Sequence, residues 1–420
     1  MKIRTYAVLN MSLFIFISVC FANADVSKEK TVKANGFPAA AANIAYGKKT
    51  IVEGNNKFAV KLFKQLRDNY KDSNFFFSPY GIYLAYSMLF EGAAGETSEE
   101  LSAVFGFSEN DAMRMEAVRE ELSKSQDKKR EYGIFVSNSL WTNKNFAVLP
   151  PYKDALQNYY FAGVYDQTDF SKASSVDKIN KWAAKNTGNK IKKIIDGQLD
   201  ASAAFILVNA VYFKEKWQIA FDRNSTENAD FYVPGEKKVT VKLMKHQDKY
   251  MYYENEDIQA IRMNYGNKSE KSMIAVLSKK GGVDVAEDFI FNNDMSFFFN
   301  RMTSRYGIVY FPKFEARWNS DLAKIMESFG LVSSDYSKLS PDASAVSSVL
   351  HSSFIKIDEE ETEVAAVTVV VMKMSMPIMS EEPSFVFRAD KPFVYMIVDE
   401  KDGKILFMGK MFKPEEVKGK

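Results

Sequence analysis

Side chains that commonly carry chemistry are scarce in this sequence. Its two histidines, His246 and His351, lie far apart, and Cys20 is its only cysteine. A zinc site needs three or four His, Cys or carboxylate ligands, usually at short spacings, and neither C-x-x-C nor H-E-x-x-H occurs. The G-x-S-x-G and G-x-G-x-x-G patterns are also missing, and the apolar stretch between Gly403 and Gly409 indicates a hairpin strand instead of a phosphate-binding loop. The sequence therefore predicts no metal, no cofactor and no enzyme of these classes.

Residues 358–384 are the segment least typical of a stable core. They begin with the acidic run Asp358–Glu361, continue through the uncharged β-branched run Thr368–Val371, and end in a Met-, Pro- and Ser-rich stretch. A segment of high β-propensity without charge, if exposed, is a strand that can add to a sheet. A plain core strand is the alternative, and periodicity alone does not decide between the two.

The N-terminus has the pattern of a secretory signal. Lys2 and Arg4 precede an apolar stretch, and Ala22-Asn23-Ala24 fits the small-x-small motif of a signal peptidase site. The apolar stretch contains Asn10, Ser12 and Ser18 and falls short of the roughly 20 residues that cross a bilayer, so a membrane anchor is disfavoured. We predict that residues 1–24 are a signal peptide and that the protein is secreted and extracellular.

Removal of this signal changes the composition of the chain. Cys20 is lost together with Lys2 and Arg4, which leaves 54 basic residues of the original 56 against 54 acidic ones. A neutral chain of this kind predicts no nucleic-acid and no membrane-surface partner. A secreted protein without disulfides needs a large core, which a chain of 420 residues can form. The sequons at Asn224 and Asn267 are candidate glycosylation sites.

The hydrophobic pattern predicts one α+β domain. Residues 25–50 are polar and lack a sustained period, which predicts a loosely ordered extension before a packed domain that starts near Ile51. Apolar residues at helical spacing follow, and Ser78-Pro79 predicts a helix start. Apolar runs typical of buried strands come later, over residues 205–213, 273–277, 393–398 and 405–408. Helices first and strands later predict large mixed β-sheets.

Five motifs, in order along the chain, resemble those of the serpin family, in particular of secreted serpins of insect or other invertebrate type. They are Asn74–Ile82 with Gly92–Thr97, Leu207–Trp217, Pro312–Phe314, Val349–His351 continuing to Thr362, and Phe387–Phe393. The resemblance covers nearly all of the chain after the signal. It implies a single serpin domain over residues 51–417, rich in helices at its N-terminal end, with an exposed reactive loop at about residues 359–384.

The resemblance also implies a mechanism. A serpin is cleaved in its reactive loop by a serine protease, inserts the loop into its main sheet and traps the protease covalently, because the exposed strand gains a hydrogen-bond ladder and apolar burial on insertion. The inserting segment would be Thr362 to about Met372. With a period of two, one face would point into the core, namely Thr362, Val364, Ala366, Thr368, Val370 and Met372.

The hinge of this loop departs from the inhibitory pattern of the family. The hinge comprises Glu359, Glu360, Glu361, Thr362, Glu363, Val364, Ala365, Ala366 and Val367. Inhibitory serpins usually have Gly at the position of Glu361 and small residues at those of Val364 and Val367, whereas Thr362 favours insertion. The sequence therefore favours a suicide inhibitor and keeps a non-inhibitory serpin, acting as a substrate, carrier or chaperone, as the alternative.

Other functional positions are implied by the same resemblance. Ser78, Asn209 and His351 match the polar cluster beneath the point where the sheet opens, and Gly81 stands where this cluster usually has a second serine. Trp217 matches the residue at the top of the sheet where insertion begins.

The residue on the acyl side of the cleaved bond selects the target protease. We favour the bond Met374–Ser375 and therefore a chymotrypsin- or elastase-like protease. Loop length alone favours Ser375–Met376, and Lys373 would suit a trypsin-like protease; a subtilisin-like target is a further alternative.

Two further classes of ligand are not favoured. The basic residues Lys124, Lys128, Lys129 and Arg130 are more typical of a solvated loop than of a glycosaminoglycan site. The hinge interpretation accounts for the acidic run Asp358–Glu361 without calcium, so we predict no metal site. We also expect the protein to be a monomer.

Overall fold

The computed structural model describes residues 37–108, 110–126, 130–235, 238–341, 348–362 and 382–414. From Ala41 onward the described residues form one compact unit, and Phe37–Ala40 are helical. The helices of the described residues are α1 Phe37–Asn69, α2 Pro79–Gly92, α3 Gly95–Phe105, α4 Asp111–Ser123, α5 Pro150–Asn158, α6 Ala173–Asn186, α7 Val283–Phe291, α8 Met295–Arg301 and α9 Ala323–Glu327, with 3-10 turns at Lys124–Gln126 and Arg223–Ser225.

The strands fall into two sheets, which confirms the predicted α+β class. They are β1 Phe75–Phe77, β2 Gly133–Asn143, β3 Gly163–Thr168, β4 Phe205–Lys216, β5 Glu227–Phe231, β6 Val239–Glu254, β7 Ile258–Tyr265, β8 Lys271–Ser278, β9 Thr303–Pro312, β10 Phe314–Asp321, β11 Ser348–Ile357, β12 Glu361–Thr362, β13 Phe385–Arg388, β14 Phe393–Asp399 and β15 Ile405–Met411. The larger sheet has the order β1-β15-β14-β8-β7-β6-β9-β13, with β5 beside β6. The second, which we call the central sheet, has the order β10-β11-β4-β2-β3, with β12 beside the end of β4.

The central sheet is buried on both faces along β4, as the continuous apolar run predicts. Phe205, Leu207, Val211 and Phe213 point into the main core, which also contains α2 and the larger sheet. The alternate residues of β4 belong to a second cluster with Ile179 of α6. We call these the inner and outer faces of the central sheet.

Local signals explain why α2 begins beneath this sheet. The hydroxyl of Ser78 accepts a hydrogen bond from the backbone N–H of Gly81 at 3.0 Å, and Pro79 occupies the first helical position. The helix is buried around almost its whole circumference. The predicted helix start is thus confirmed, and it fixes Ser78 below the middle of the central sheet.

The predicted loose extension over residues 25–50 is wrong for residues 37–50, which belong to α1. Gly47 explains part of this, because a Cβ there would lie 2.9 Å from the Cβ of Ala117, so α1 approaches α4 closely. The packed helix therefore starts before Ile51, which is itself buried. Residues 1–36, with the predicted signal peptide, lie outside the described residues. No helix of the part that the structure describes is long and apolar enough to span a bilayer.

Candidate functional site

Three of the predicted site residues form a hydrogen-bonded cluster at the middle of the central sheet. The backbone N–H of Ser78 donates to Nε2 of His351 at 3.2 Å, and Nδ1 of His351 lies 2.6 Å from Oδ1 of Asn209. Since Nε2 accepts, Nδ1 carries the proton and donates to Asn209. The Ser78 hydroxyl donates to the carbonyl of Leu406 at 2.7 Å, which connects the cluster to the larger sheet.

Asn138 of β2 extends this cluster and was missed by sequence reasoning. Its Oδ1 accepts a hydrogen bond from Nδ2 of Asn209 at 2.6 Å. Asn138, Asn209 and His351 are register partners across β2, β4 and β11, so they form one polar row on three adjacent strands. An asparagine within a strand gives no sequence signal for such a row, because the signal is the register itself. We call Ser78, Asn138, Asn209 and His351 the polar cluster.

Gly81 has a different meaning in the structure than in the sequence. The resemblance marks it as a missing serine hydroxyl, yet a Cβ at Gly81 would lie 2.5 Å from Cγ2 of Val211 and 2.8 Å from Oδ1 of Asn209. Contacts that short force neighbouring atoms to move. The glycine therefore allows α2 to approach β4 closely beneath the polar cluster.

Burial keeps His351 neutral. The ring is completely buried, and the loss of solvation lowers the pKa of His351 from 6.5 to about 3. Protonation would place a hydrogen on Nε2, which now accepts the bond from Ser78. The polar cluster as observed therefore requires the uncharged imidazole.

The first residues of the hinge are anchored at the top of the central sheet around Trp217. The indole N–H of Trp217 donates to the carbonyl of Asp358 at 2.9 Å, and its backbone N–H donates to the carbonyl of Glu360 at 3.2 Å. The backbone N–H of Phe221 donates to the carbonyl of Glu359 at 2.8 Å. These bonds hold the acidic run against the end of β4.

The acidic side chains of this run are paired with cations from three separate parts of the chain. Glu359 accepts from Nζ of Lys313 at 2.7 Å, Glu360 lies 2.9 Å from Arg223, and Asp358 lies 3.6 Å from Lys356. Thr226 also donates to Glu359, at 2.9 Å. Burial alone would raise the pKa of Glu359, but the hydrogen bonds from Lys313 and Thr226 outweigh it and lower that pKa. No group of three or more His, Cys, Asp or Glu side chains suited to a metal ion occurs among the described residues.

The strands β4 and β11 are paired with each other only over the part of the sheet that lies farther from the hinge. The parallel ladder pairs Ser348 with Ile206 and continues to Phe354 and Tyr212. Above that pair the two strands no longer bond to each other, and β12 pairs antiparallel with β4, Glu361 opposite Lys216 and Thr362 opposite Glu215. We call this boundary the β4–β11 seam. The chain that follows the hinge therefore begins at the upper end of the seam.

The remaining predicted residues are distributed as follows. Three groups lie outside the described residues: Glu363 to Val367 of the hinge, the residues around the candidate cleavage sites (Lys373, Met374, Ser375 and Met376), and the basic residues Lys128 and Lys129. Asn224 is exposed in the 3-10 turn next to Arg223, and Asn267 is exposed after β7, so both sequons are accessible. Their occupancy, and the role of the polar cluster in opening, stay predictions.

Comparison with known proteins gives one consistent family. The family model described as Serpin (serine protease inhibitor) matches residues 53–414. An uncharacterised serpin-like protein of Thermococcus kodakarensis is 31% identical over 88% of this chain and 87% of its own length. Human Serpin B4 is 28% identical over 87% of this chain and 100% of its own length.

The fold is also similar to solved structures. Human thyroxine-binding globulin, solved in complex with thyroxine, superposes with a TM-score of 0.78 over 89% of this chain and all of that chain. The two sequences are 24% identical, so the similarity concerns the fold.

Proposed function

The chain belongs to the serpin family, and from that premise we propose that it is a suicide inhibitor of a serine protease. In this proposal the protease cleaves the loop after the hinge, the loop inserts into the central sheet through the β4–β11 seam, and the protease stays covalently attached. The observation that carries the proposal is the position of β12, whose two residues occupy the first register positions at the open end of the seam.

The register of β12 predicts where each later residue would lie after insertion. In an antiparallel pair, each step forward on one strand is one step back on the other. Continuation from Thr362 opposite Glu215 would bring Val364 opposite Phe213 and Thr368 opposite Asn209. Insertion as far as Thr368 would therefore separate Asn209 from His351 and break the hydrogen bond between them.

The same register supports a gain of free energy on insertion. The loop residues that alternate with Thr362 would lie opposite Phe213, Val211, Asn209, Leu207 and Phe205, and the four apolar ones belong to the main core. Burial of Val370 on this face would contribute about 1.5–3 kcal/mol. The inserted strand would also gain backbone hydrogen bonds on both sides, because β4 and β11 each offer one edge once parted.

Three hinge positions count against fast insertion. Glu361 replaces a glycine that is usual in inhibitors, and Val364 and Val367 replace small residues. Val364 would lie opposite Phe213, which is completely buried, and overfilling such a site costs about 1–3 kcal/mol. Insertion competes with hydrolysis of the acyl-enzyme, so these residues reduce the inhibited fraction without removing the driving force.

For the cleaved bond, the proposal keeps Met374–Ser375. The protease hydroxyl would attack the carbonyl carbon of Met374, the bond to the nitrogen of Ser375 would break, and that nitrogen would leave as an amine after taking up a proton. The acyl side would then carry an ester to the protease. Methionine there favours a chymotrypsin- or elastase-like enzyme.

Secretion as a monomer belongs to the same proposal. It rests on the signal-like pattern of residues 1–24, and the large core would stabilise a secreted chain that has no cysteine after the signal. Expression with a C-terminal tag in a secreting host tests it, since the proposal predicts a medium fraction whose N-terminal sequence starts at Asp25.

The inhibitory step is tested by incubating the protein with chymotrypsin, pancreatic elastase, trypsin and subtilisin, followed by denaturing gels and mass spectrometry. We expect a complex with chymotrypsin or elastase that survives SDS, and a released peptide that starts at Ser375. The matched control is Ala366→Arg, which should be cleaved at the same rate without forming the complex, because Ala366 would lie opposite the completely buried Val211 after insertion and a charge cannot enter there. Cleavage of the unmodified chain without any complex would overturn the inhibitory proposal.

A carrier is the second candidate, favoured by one observation besides the hinge. An open cavity of about 800 Å³ lies among α1, α7 and α8, and its lining includes Val60, Phe291 and Met396. A carrier would be stabilised by its ligand. Thermal melting of the intact protein with thyroxine, the ligand of the solved relative, tests the carrier function for that ligand. An increase in melting temperature would support it, and an unchanged value would refute it for thyroxine.

A further inference from the structure

A row of aromatic and cationic side chains crosses the central sheet on its outer face. Phe135, Tyr212, Phe354 and Arg317 are successive register partners on β2, β4, β11 and β10. The rings of Phe135 and Tyr212 are stacked, with centroids 4.4 Å apart and planes 5° apart. The guanidinium of Arg317 lies 4.2 Å from the centroid of Phe354, and that of Arg130 lies 4.7 Å from the centroid of Phe135. We call this the aromatic row.

The aromatic row lies at the upper limit of the closed seam. Tyr212 and Phe354 form the last pair of the β4–β11 ladder, directly below the part where β12 has replaced β11 beside β4. Phe354 is 2% exposed, and both side chains pack in the cluster beneath α6. Among the described residues, Tyr212 stacks on Phe135 and Phe354 lies under the guanidinium of Arg317, so the aromatic and cationic partner of each ring is on the strand away from the seam.

This arrangement divides the aromatic row into two parts that move with different strands. The Phe135–Tyr212 stack belongs to β2 and β4, which pair from Gly133 and Lys214 to Thr142 and Phe205. The Arg317–Phe354 contact belongs to β10 and β11, which pair along the whole length of β10. The β4–β11 ladder is shorter than both and is parallel, and parallel pairing is slightly weaker per residue.

Opening of the seam must therefore begin between Tyr212 and Phe354. Adjacent strands lie about 4.8 Å apart, and room for one more strand requires about twice that distance. The two side chains would no longer pack in one cluster beneath α6, while each would keep its partner on its own side. No other side-chain pair on the outer face has to separate earlier, because the ladder above this pair is already open.

We propose that Tyr212 and Phe354 are positioning residues that hold the β4–β11 seam closed directly below the hinge. They set the barrier for separation of the strands, and Phe135 and Arg317 keep each ring in place on its own side. The closed seam is a property of the intact protein. Its consequence for the rate of insertion rests on the proposed function.

Hydrogen–deuterium exchange of the intact protein tests this directly at residues 205–212 and 348–354. Tyr212→Ala and Phe354→Ala should speed amide exchange in these segments about tenfold, which corresponds to a loss of about 1.4 kcal/mol. Tyr212→Phe keeps the ring and should leave exchange unchanged. The matched control is Tyr165→Ala, which removes a tyrosine from an equivalent stack on Trp141 at the far edge of the same sheet.

The double variant distinguishes a shared contact from general loosening. If Tyr212 and Phe354 act on one barrier, Tyr212→Ala/Phe354→Ala should exchange about as fast as the faster single variant. Equal acceleration by Tyr165→Ala, or no acceleration by either seam variant, would overturn the proposal. If an alanine variant does not fold, the milder Tyr212→Leu and Phe354→Leu variants are used in its place, because leucine removes the ring but keeps most of the apolar volume; exchange should change in the same direction.

A second readout connects the row to insertion. Each variant is cleaved in its loop with subtilisin, and the time needed to become resistant to unfolding at high temperature is measured. The seam variants should become resistant about tenfold faster than the unmodified chain and Tyr165→Ala. If the unmodified chain never becomes resistant, the proposed function fails, while the exchange experiment still decides on the aromatic row.

Discussion

Lowering the pH from 7 to 5 should destabilise the folded protein through His351. Burial lowers the pKa of this residue from 6.5 to about 3, so between these values the unfolded chain binds a proton that the folded chain excludes. Stability from the neutral ring is therefore fully present above about pH 6.5 and is lost progressively as the pH falls toward about 3. With about 1.36 kcal/mol per pKa unit, the loss between pH 7 and pH 5 is about 2 kcal/mol.

Urea unfolding at the two pH values measures this loss. Carboxylates also titrate in this range, so the informative quantity is the difference between the unmodified chain and His351→Gln. Glutamine keeps an acceptor for Ser78 and a donor for Asn209 but has no proton to bind. The unmodified chain should lose about 2 kcal/mol more than this variant. The matched control is His246→Gln, because His246 is the other histidine and lies on β6, bonded to Tyr250 at 2.7 Å.

An equal loss in the unmodified chain and in His351→Gln would refute the reasoning. It would mean that the imidazole is not held neutral by burial. If His351→Gln does not fold, the ring resonances of His351 can be followed by NMR in the unmodified chain. They should stay unchanged from pH 8 to pH 5, and a titration with a midpoint near 6.5 would refute the argument equally.

Three further changes test the site. Gly81→Ser should lower the free energy of unfolding by about 1–3 kcal/mol, because its Cβ would overlap Val211; a stabilised variant in urea unfolding would restore the interpretation of a missing hydroxyl. Lys313→Met should lower the free energy of unfolding by about 2 kcal/mol, because it leaves the carboxylate of Glu359 without its cation. The double variant with Glu359→Gln should recover part of this free energy, and no recovery would contradict the pairing. Glu361→Gly with Val364→Ala should raise the fraction of protease trapped per loop cleaved, and an unchanged fraction in titrations would show that the hinge does not limit insertion.

Much of the fold could be predicted from local signals. The start of α2 follows from Ser78-Pro79, and β4 follows from a long apolar run, because capping and burial act on neighbouring residues. The start of α1 could not be predicted in the same way. Residues 37–50 have a weak pattern, and their helix is stabilised by contact with α4 through Gly47, which is a tertiary effect.

The site was only partly predictable for a related reason. Ser78, Asn209 and His351 could be selected through resemblance, but Asn138 and the aromatic row depend on the register of strands that are distant in sequence. A shift of one residue would turn every side chain to the opposite face, so composition alone does not indicate such rows. The role of Gly81 depends likewise on a tertiary distance, because only the close approach to Val211 shows that a side chain there would not fit.

Whether the β4–β11 seam accepts the loop is decided by thermal melting before and after a single cleavage in the loop. The intact and cleaved proteins are compared at pH 7, with mass spectrometry to verify that only the loop is cut. We expect a much higher melting temperature after cleavage, since the loop would then complete the central sheet. An unchanged melting temperature with the loop fully cut would contradict it.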